Sequence, residues 1–456
     1  MVLINWQQFG LRKNPYDTLP LIEGGDLPIN KAFVGRNSEK EFLNSLFESN
    51  ERICLTICGD VGVGKTSLAN FHKFIWKYTN DKLLFSFRRE IEANNDLLNK
   101  KNFIIEIIGS VLREIRLLDP ELLKNELLQK ISKIVDISQT MAISGGASAF
   151  GFGLDMGKEK ITTTPIQLSA TLLEEYFVSL INFIKENKIK GLKYSGLIVH
   201  VNNFDIILSS EKGKEMAISF FDEIRDVLQT TDVYFLFLGP KNLFKDIISA
   251  RQRVKSIFYQ TPLFVNPLSK TEIAKAFEER MQLLKSDDVA SYIKPIEDDV
   301  IYKIYDLYNG DIRSIMASII DVLGQYSEKL AKSLSVNEAM LLLGKERWEK
   351  IENVMKLTTE QKTILKYLAN AEKFISQKEI VEMFRKNKSN VSGYYFKPLR
   401  ENNIIEEKER ENNTPYYGLT CDYMPLKWLI KSQKVVSESI NDKSNQLNLF
   451  TQDKSK

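Results

Sequence analysis

Eight consecutive residues, GDVGVGKT at Gly59–Thr66, have the composition of a polyphosphate-binding turn. They fit G-x-x-x-x-G-K-[ST] and lie between an apolar run, Ile53–Cys58, and an amphipathic stretch from about Lys65 to Lys77. Gly59, Gly62 and Gly64 let the backbone curl, so that N–H groups along Asp60, Val61, Val63, Lys65, Thr66 and Ser67 aim at an anion. The helix that follows adds the positive end of its dipole. Lys65 brings a point charge to the β- and γ-phosphates, and Thr66 offers a hydroxyl to Mg²⁺. The expected cofactors are ATP and Mg²⁺.

Hydrolysis needs a carboxylate near that magnesium, usually at the end of a neighbouring strand. The matching run here is GLIVHVNNFD, which puts Asn202 and Asn203 where acids are expected. An amide joins a metal's water shell but carries no charge and is no base. Asp205, three residues beyond Asn202, supplies the carboxylate if the chain folds back. Thr66 and Asn202 are therefore the candidate metal ligands, and Lys65 and Asp205 the candidate catalytic residues. Two outcomes stay open: slow or partner-dependent turnover, and binding with negligible turnover. His200, between apolar neighbours, reads as a satisfied core histidine, and Cys54 and Cys58 as core residues on one strand face.

These residues need a scaffold. Ile53–Cys58, 196–201 (GLIVHV) and 233–238 (VYFLFL) read as buried strands, and Leu83–Ile91 as an alternating one. Helical patterns fill 38–48, 65–77, 103–118, 171–188 and 217–228, with Asp119-Pro120 capping a further helix to about Val135. Strands alternating with helices predict an α/β core with a mostly parallel sheet. From about 266 the pattern is almost purely helical. Residues 142–166, with five glycines, read as an inserted hairpin, packed locally or projecting toward a substrate or neighbouring subunit. The expected organisation is an irregular arm (1–32), the α/β core (33–265), an all-α lid (266–350), a winged helix (357–431) and a polar, disordered tail (432–456).

Composition excludes several classes. The 456 residues carry 63 Lys+Arg against 60 Asp+Glu, so nucleic-acid affinity must come from local patches. Three cysteines and two histidines exclude a disulfide framework and a structural zinc site, and suggest a reducing compartment. No apolar run approaches the ~18–20 residues of a membrane span, and the first twenty residues lack a secretory h-region. The expected location is the cytoplasm.

Three short stretches, in order and spacing, resemble one family. FVGR-x-x-E at Phe33–Glu39, the phosphate loop, and GDIR at Gly310–Arg313 are similar to motifs of AAA+ ATPases of the origin-recognition and STAND-related type. The resemblance covers roughly residues 10–430. It implies that backbone at Val34 and Gly35 meets the adenine and that Arg313 is a sensor arginine on the γ-phosphate. It also implies an arginine finger at Arg251 or Arg253, hence an oligomer. The chain departs from the family at Asn202 and Asn203. The strand 233–238 also lacks a polar residue at its tip unless Asn242 serves.

The C-terminal module reads as three helices (359–368, 376–384 and 390–401) followed by two strands around a polar turn. Between Met383 and Arg400 there are five basic residues, Arg385, Lys386, Lys388, Lys397 and Arg400, and no acid. Asn390, Tyr394 and Tyr395 interleave with them, which suits phosphate and base edges in a major groove. The wing is acidic, with Glu406, Glu407, Glu409 and Glu411, so DNA contact and protein docking both stay open. In the tail, QLNLF (Gln446, Leu447, Leu449 and Phe450 carrying it) resembles the motif by which bacterial proteins bind the replication sliding clamp; the alternative is an amphipathic turn folding back on the body.

The leading expectation is an ATP-binding switch acting on DNA. The alternatives are a STAND-like signalling scaffold with little hydrolysis and an inactive structural subunit.

Overall fold

The computed structural model describes residues 4–144, 169–326, 331–371, 373–385, 387, 389, 391–409 and 415–433. The chain forms two compact units, one of residues 19–268 and one of 1–18 with 269–456. The expected hairpin at 142–166 lies almost wholly outside the described residues, as do Lys386, Lys388, Asn390 and the tail motif Gln446–Phe450.

The first unit contains α1 (Ile29–Ala32), α2 (Asn37–Ser49), β1 (Ile53–Cys58), α3 (Lys65–Tyr78), β2 (Phe85–Ser86), β3 (Ile91–Glu92), α4 (Lys100–Leu118) and α5 (Glu126–Ser144). There follow α6 (Ala170–Glu186), the hairpin β4 (Lys188–Ile189) and β5 (Leu192–Lys193), β6 (Leu197–Asn202), α7 (Phe204–Ile207), α8 (Glu211–Glu223), β7 (Val233–Gly239), α9 (Gln252–Lys255) and β8 (Leu263–Phe264). The main sheet is parallel, in the order β2-β6-β7-β1-β8, with β3 also on β6.

Period-2 alternation sorts the strand residues between two cores. Ile53, Leu55, Ile57, Tyr234, Leu236, Leu238 and Ile198 pack with α2 and α3. Cys54, Cys58, Phe235, Phe237, Val199 and Val201 pack with α4, α6 and α8. Both faces are covered, which leaves the carboxyl edge as the place where a ligand reaches the sheet, as in other open α/β sheets. Register aligns that edge: Cys58 pairs with Gly239, and Val201 with Phe237.

Several expectations need correction. The strand expected over 83–91 is two dipeptides, because its middle is claimed by side chains. Lys73 Nζ donates to the carbonyls of Phe87 (3.0 Å) and Arg88 (3.3 Å), and Glu114 accepts from the Arg88 N–H (3.1 Å). Asp119 does not cap the helix after it; its carboxylate accepts from the N–H of Lys190 (3.0 Å), and Pro120–Lys124 is a 3₁₀ turn ahead of α5. The helix expected from 217 starts at Glu211, where Ser210 accepts from the Gly213 N–H, and ends at Glu223. His200 is fully buried but not satisfied: neither ring nitrogen has a hydrogen-bond partner among the described residues. Burial holds its pKa well below the ordinary value, so it is neutral.

In the second unit, residues 4–18 are not a free arm. Tyr16 is fully buried, edge-on to Phe277, and Arg280 donates to the Asp17 carbonyl (2.9 Å). Four helices follow, α10 (Lys270–Leu284), α11 (Asp298–Tyr308), α12 (Ile312–Gly324) and α13 (Val336–Lys350), with capping boxes at Ser269/Glu272 and Ser335/Glu338. The C-terminal module runs α14 (Thr359–Asn370), β9 (Ile375–Ser376), α15 (Gln377–Phe384), a π-turn at Val391–Phe396 continuing into α16 (Lys397–Glu401), β10 (Ile405–Glu409) and β11 (Pro415–Leu419). Its antiparallel sheet has the order β10-β11-β9. Ile364, Leu365, Ile380, Val391, Phe396 and Leu399 form its core.

Candidate nucleotide-binding site

The loop leaves β1 at Cys58 and enters α3 at Lys65. Gly62 and Gly64 take φ of +78° and +95°, the left-handed region that favours glycine. Gly59 is glycine for space instead: a Cβ there would lie 2.5 Å from the Val265 carbonyl oxygen. Lys65 is buried, and its ammonium donates to the carbonyls of Gly59 (2.9 Å) and Asp60 (2.8 Å). In a trans peptide the N–H points opposite to the C=O. Drawing these two carbonyls to Lys65 therefore turns the N–H groups of Asp60 and Val61 the other way. Val61 itself is an exposed apolar residue at the loop's tip.

Thr66 and Asn202 are bonded directly to each other. The Asn202 side-chain amide, at the end of β6, donates to the Thr66 hydroxyl across 2.9 Å. Asn203 then adopts a left-handed conformation (φ +69°), which turns the chain sharply into α7 and puts Asp205 in its first turn. Asp205 Oδ1 is buried and has no hydrogen-bond partner among the described residues. Burial pushes the Cys58 thiol pKa up; the Lys65 charge opposes this and the Asp205 charge reinforces it, so both act on the end of β1. A buried, unpaired carboxylate oxygen that acts with the Lys65 charge on the end of β1 is what a metal-bound water or hydroxyl donor would satisfy. The loop, Thr66, Asn202 and Asp205 thus fit a triphosphate with Mg²⁺. Among the described residues no cluster of three or more His, Cys, Asp or Glu could hold a metal by itself.

The remaining candidates divide. The Ser67 hydroxyl accepts from the Leu21 N–H (3.2 Å), so its side chain anchors the segment crossing α3. Val34 and Gly35 (φ +74°) form the turn before α2, where Phe33 stacks on Phe71 with centroids 4.6 Å apart. Asn242 does not point at the loop; it donates to Asp246 (2.8 Å). The residue that reaches from the end of β7 is its neighbour Lys241, paired with Asp60 at 2.6 Å. Arg253 is bound through its guanidinium to Asp222, whereas Arg251 is exposed and its side chain makes no ion pair or hydrogen bond among the described residues. Arg313, in the second unit, is exposed at the start of α12. Asp311 caps that helix by accepting from the N–H groups of Arg313 (3.0 Å) and Ser314 (3.3 Å).

On the C-terminal module, Arg385, Tyr394 and Lys397 are exposed. Arg400 is tied at 2.5 Å to Glu407 of β10, and Tyr395 is a core residue. Both facts remove groups from the expected basic face.

Sequence reasoning missed Arg36 and Lys241. Arg36 is buried, and its guanidinium donates to the Val63 carbonyl, the Asn266 carbonyl and Glu39. Burial opposes the Glu39 charge, but bonds from Arg36, the backbone and Ser38 prevail and hold its pKa below the ordinary value.

No protein-family model matches this chain, and no curated protein does. Several solved structures match along nearly its whole length at low identity. The Aeropyrum pernix Orc1 protein, solved in complex with DNA, is 13% identical, with 91% of this chain and 97% of that one covered and a TM-score of 0.41. The Aeropyrum pernix Orc2 protein, solved as ADPNP–ADP complexes, is 15% identical, with 93% and 98% covered and a TM-score of 0.46. Drosophila ORC bound to DNA is 9% identical, with 91% and 90% covered and a TM-score of 0.41. Among the described residues no helix is long and apolar enough to cross a membrane.

Proposed function

We propose that this chain is an ATP-binding switch of the AAA+ type, with slow or partner-stimulated hydrolysis, whose nucleotide state governs the placement of a winged helix on DNA. The carrying observation is the constellation at the sheet's carboxyl edge: Lys65 inside its loop, Asn202 on Thr66, and Asp205 with a buried, unpaired oxygen. The loop amides and Lys65 would hold the triphosphate, and Thr66 with Asn202 the Mg²⁺, which supplies charge neutralisation between the phosphates. Asp205 replaces the missing acid as the group that accepts a proton from, or orients, the attacking water. Arg313 senses the γ-phosphate, and Arg251, free where Arg253 is paired, serves as the finger of an oligomer. Replication, mobile-element control and phage defence in a cytoplasm are the settings that suit such a protein, with Gln446–Phe450 as a sliding-clamp contact.

The test is ATP turnover with and without duplex DNA, comparing Asp205→Ala and Lys65→Ala with the parent. Lys65→Ala abolishes nucleotide binding; Asp205→Ala keeps binding and loses turnover. Parent-level turnover in Asp205→Ala removes the assigned role.

One observation favours a second reading, a STAND-like scaffold that holds nucleotide and recruits a protein partner. Arg400 is neutralised by Glu407 of the acidic wing, which weakens the DNA face. Absence of duplex binding at low salt, with and without ATP, selects this reading.

A further inference from the structure

We infer that Arg36 is a positioning residue that sets the phosphate loop and ties it to the segment through which the first unit's chain leaves for the second. The inference rests on the nucleotide reading of that loop.

Arg36 sits in a left-handed conformation (φ +60°) directly after Gly35 (φ +74°), an arrangement a non-glycine residue rarely adopts. It aims the side chain inward. The buried guanidinium donates to Val63 O (2.6 Å) and Asn266 O (2.5 Å), and Glu39 (3.0 Å) neutralises it. The planar fork matters, because one cation bridges two carbonyls from different segments, which a point charge on a flexible stem does poorly.

The Val63 carbonyl shares its peptide plane with the Gly64 N–H, and no peptide among the described residues is cis. Holding that carbonyl on Arg36 turns the Gly64 N–H away from Arg36. Nothing lies within 4 Å of a Cβ built at Gly64, so that glycine serves its backbone conformation (φ +95°) rather than clearance. Arg36 thus fixes the last turn of the loop where Lys65 fixes the first.

The Asn266 end gives the second half of the inference. Val265 N donates to Cys58 O (2.8 Å), and the Val265 carbonyl presses on Gly59. Segment 265–266 is therefore attached to the beginning of the loop by backbone, and to its end by the hydrogen bonds of Arg36 beside the packing of Val265 and Val63 in one core. Two residues later the chain passes from one compact unit to the other. A change in the loop on phosphate entry moves the Val63 carbonyl, and Arg36 passes that movement to Asn266.

The test uses the full chain with Arg36→Ala, Arg36→Lys and Lys65→Ala. Two quantities are read: affinity for a fluorescent ATP analogue, and hydrogen exchange of peptides covering 59–67 and 263–269 with and without ATP·Mg²⁺. Loss of charge-assisted bonds predicts ~10–100-fold weaker ATP binding in Arg36→Ala. At saturating ATP, residues 59–67 still gain protection, and 263–269 no longer do. Arg36→Lys, which keeps charge and fold, gives intermediate affinity with the same loss at 263–269, and it decides the matter if Arg36→Ala does not melt cooperatively. Parent-like affinity, or parent-like protection of 263–269, in the folded variants overturns the inference. Lys65→Ala separates the two levels: undiminished ATP binding there removes the nucleotide reading itself, whereas its loss beside parent-like Arg36 variants removes only the role of Arg36.

Discussion

The Asn202 amide donates to the Thr66 hydroxyl across 2.9 Å, so the end of β6 and the start of α3 are joined by a neutral bond at the point where a carboxylate would have placed a charge. Asn202 is also buried. Replacing it by Asp puts an ion into that site with no partner unless a divalent cation is present. Asn202→Asp is therefore expected to lower the melting temperature without metal, and to recover it on adding Mg²⁺ with ATP. Its ATP turnover should rise by about tenfold, the equivalent of ~1.4 kcal/mol of added electrostatic stabilisation. Calorimetry across a Mg²⁺ titration and a phosphate-release assay check both. A variant indifferent to Mg²⁺ would place the metal away from Thr66.

Lys77, on the same helix as the phosphate loop's lysine, is fully buried against Glu114 (2.7 Å) and Glu23 (3.1 Å). Removing one partner of a buried pair leaves an uncompensated charge, at a typical cost of about 3–5 kcal/mol. Lys77→Met is expected to lose that much in urea unfolding. Changing Glu114 to Gln as well should not add a second full penalty, since the carboxylate left with only part of its charge compensation, the Arg88 guanidinium at 3.3 Å, goes with it. Independent, additive losses would show that the two groups do not act as a pair.

The phosphate loop was legible because its signal is local: glycines and Lys65 at fixed offsets between a strand and a helix. The central strands were legible because burial on both faces leaves continuous apolar runs. Residues brought from afar were not. Arg36 reaches Asn266, and Lys241 reaches Asp60, across stretches of chain that no local pattern spans. The alternation at 83–91 misled because Lys73 and Glu114 take the backbone groups a ladder would use. For His200 the burial could be read, but the lack of partners depends on what packs around it. A charge count sees Arg400 as free, whereas the fold sets Glu407 beside it.

Lys73 gives a pH-dependent signature. Burial pushes its pKa from the ordinary 10.5 down to about 8, and the charge of nearby Glu90 only partly opposes this. The folded chain releases this proton near pH 8, whereas the unfolded chain keeps it to about 10.5, so between those values the unfolded state binds more protons and stability rises with pH. From pH 7.5 to 9.5 this contribution grows by about 1–2 kcal/mol. Lys73→Met removes the titration. Comparing urea unfolding of parent and variant at the two pH values isolates the effect; an identical pH dependence in both would mean that Lys73 titrates normally.

On the C-terminal module, the proposed DNA contact turns on which cations are already paired within the fold. Lys397 is exposed, its one ion pair among the described residues a long one to Glu401 (3.9 Å), and Tyr394 is exposed on the same turn-to-helix segment. Arg400 is held by Glu407. Each cation that neutralises a phosphate contributes about 0.9 to the slope of log affinity against log salt. Lys397→Ala should weaken duplex binding and flatten the slope by about that amount. Tyr394→Ala should weaken binding without changing the slope, because a ring or hydroxyl contact releases no counterion. Arg400→Ala should change little, since its charge is already spent on Glu407. Glu407→Gln frees that guanidinium and should strengthen binding and steepen the slope. Fluorescence anisotropy with one duplex over a salt series measures all four. The opposite ranking, with Arg400→Ala most damaging and Glu407→Gln neutral, would mean that DNA breaks the Arg400–Glu407 pair on binding.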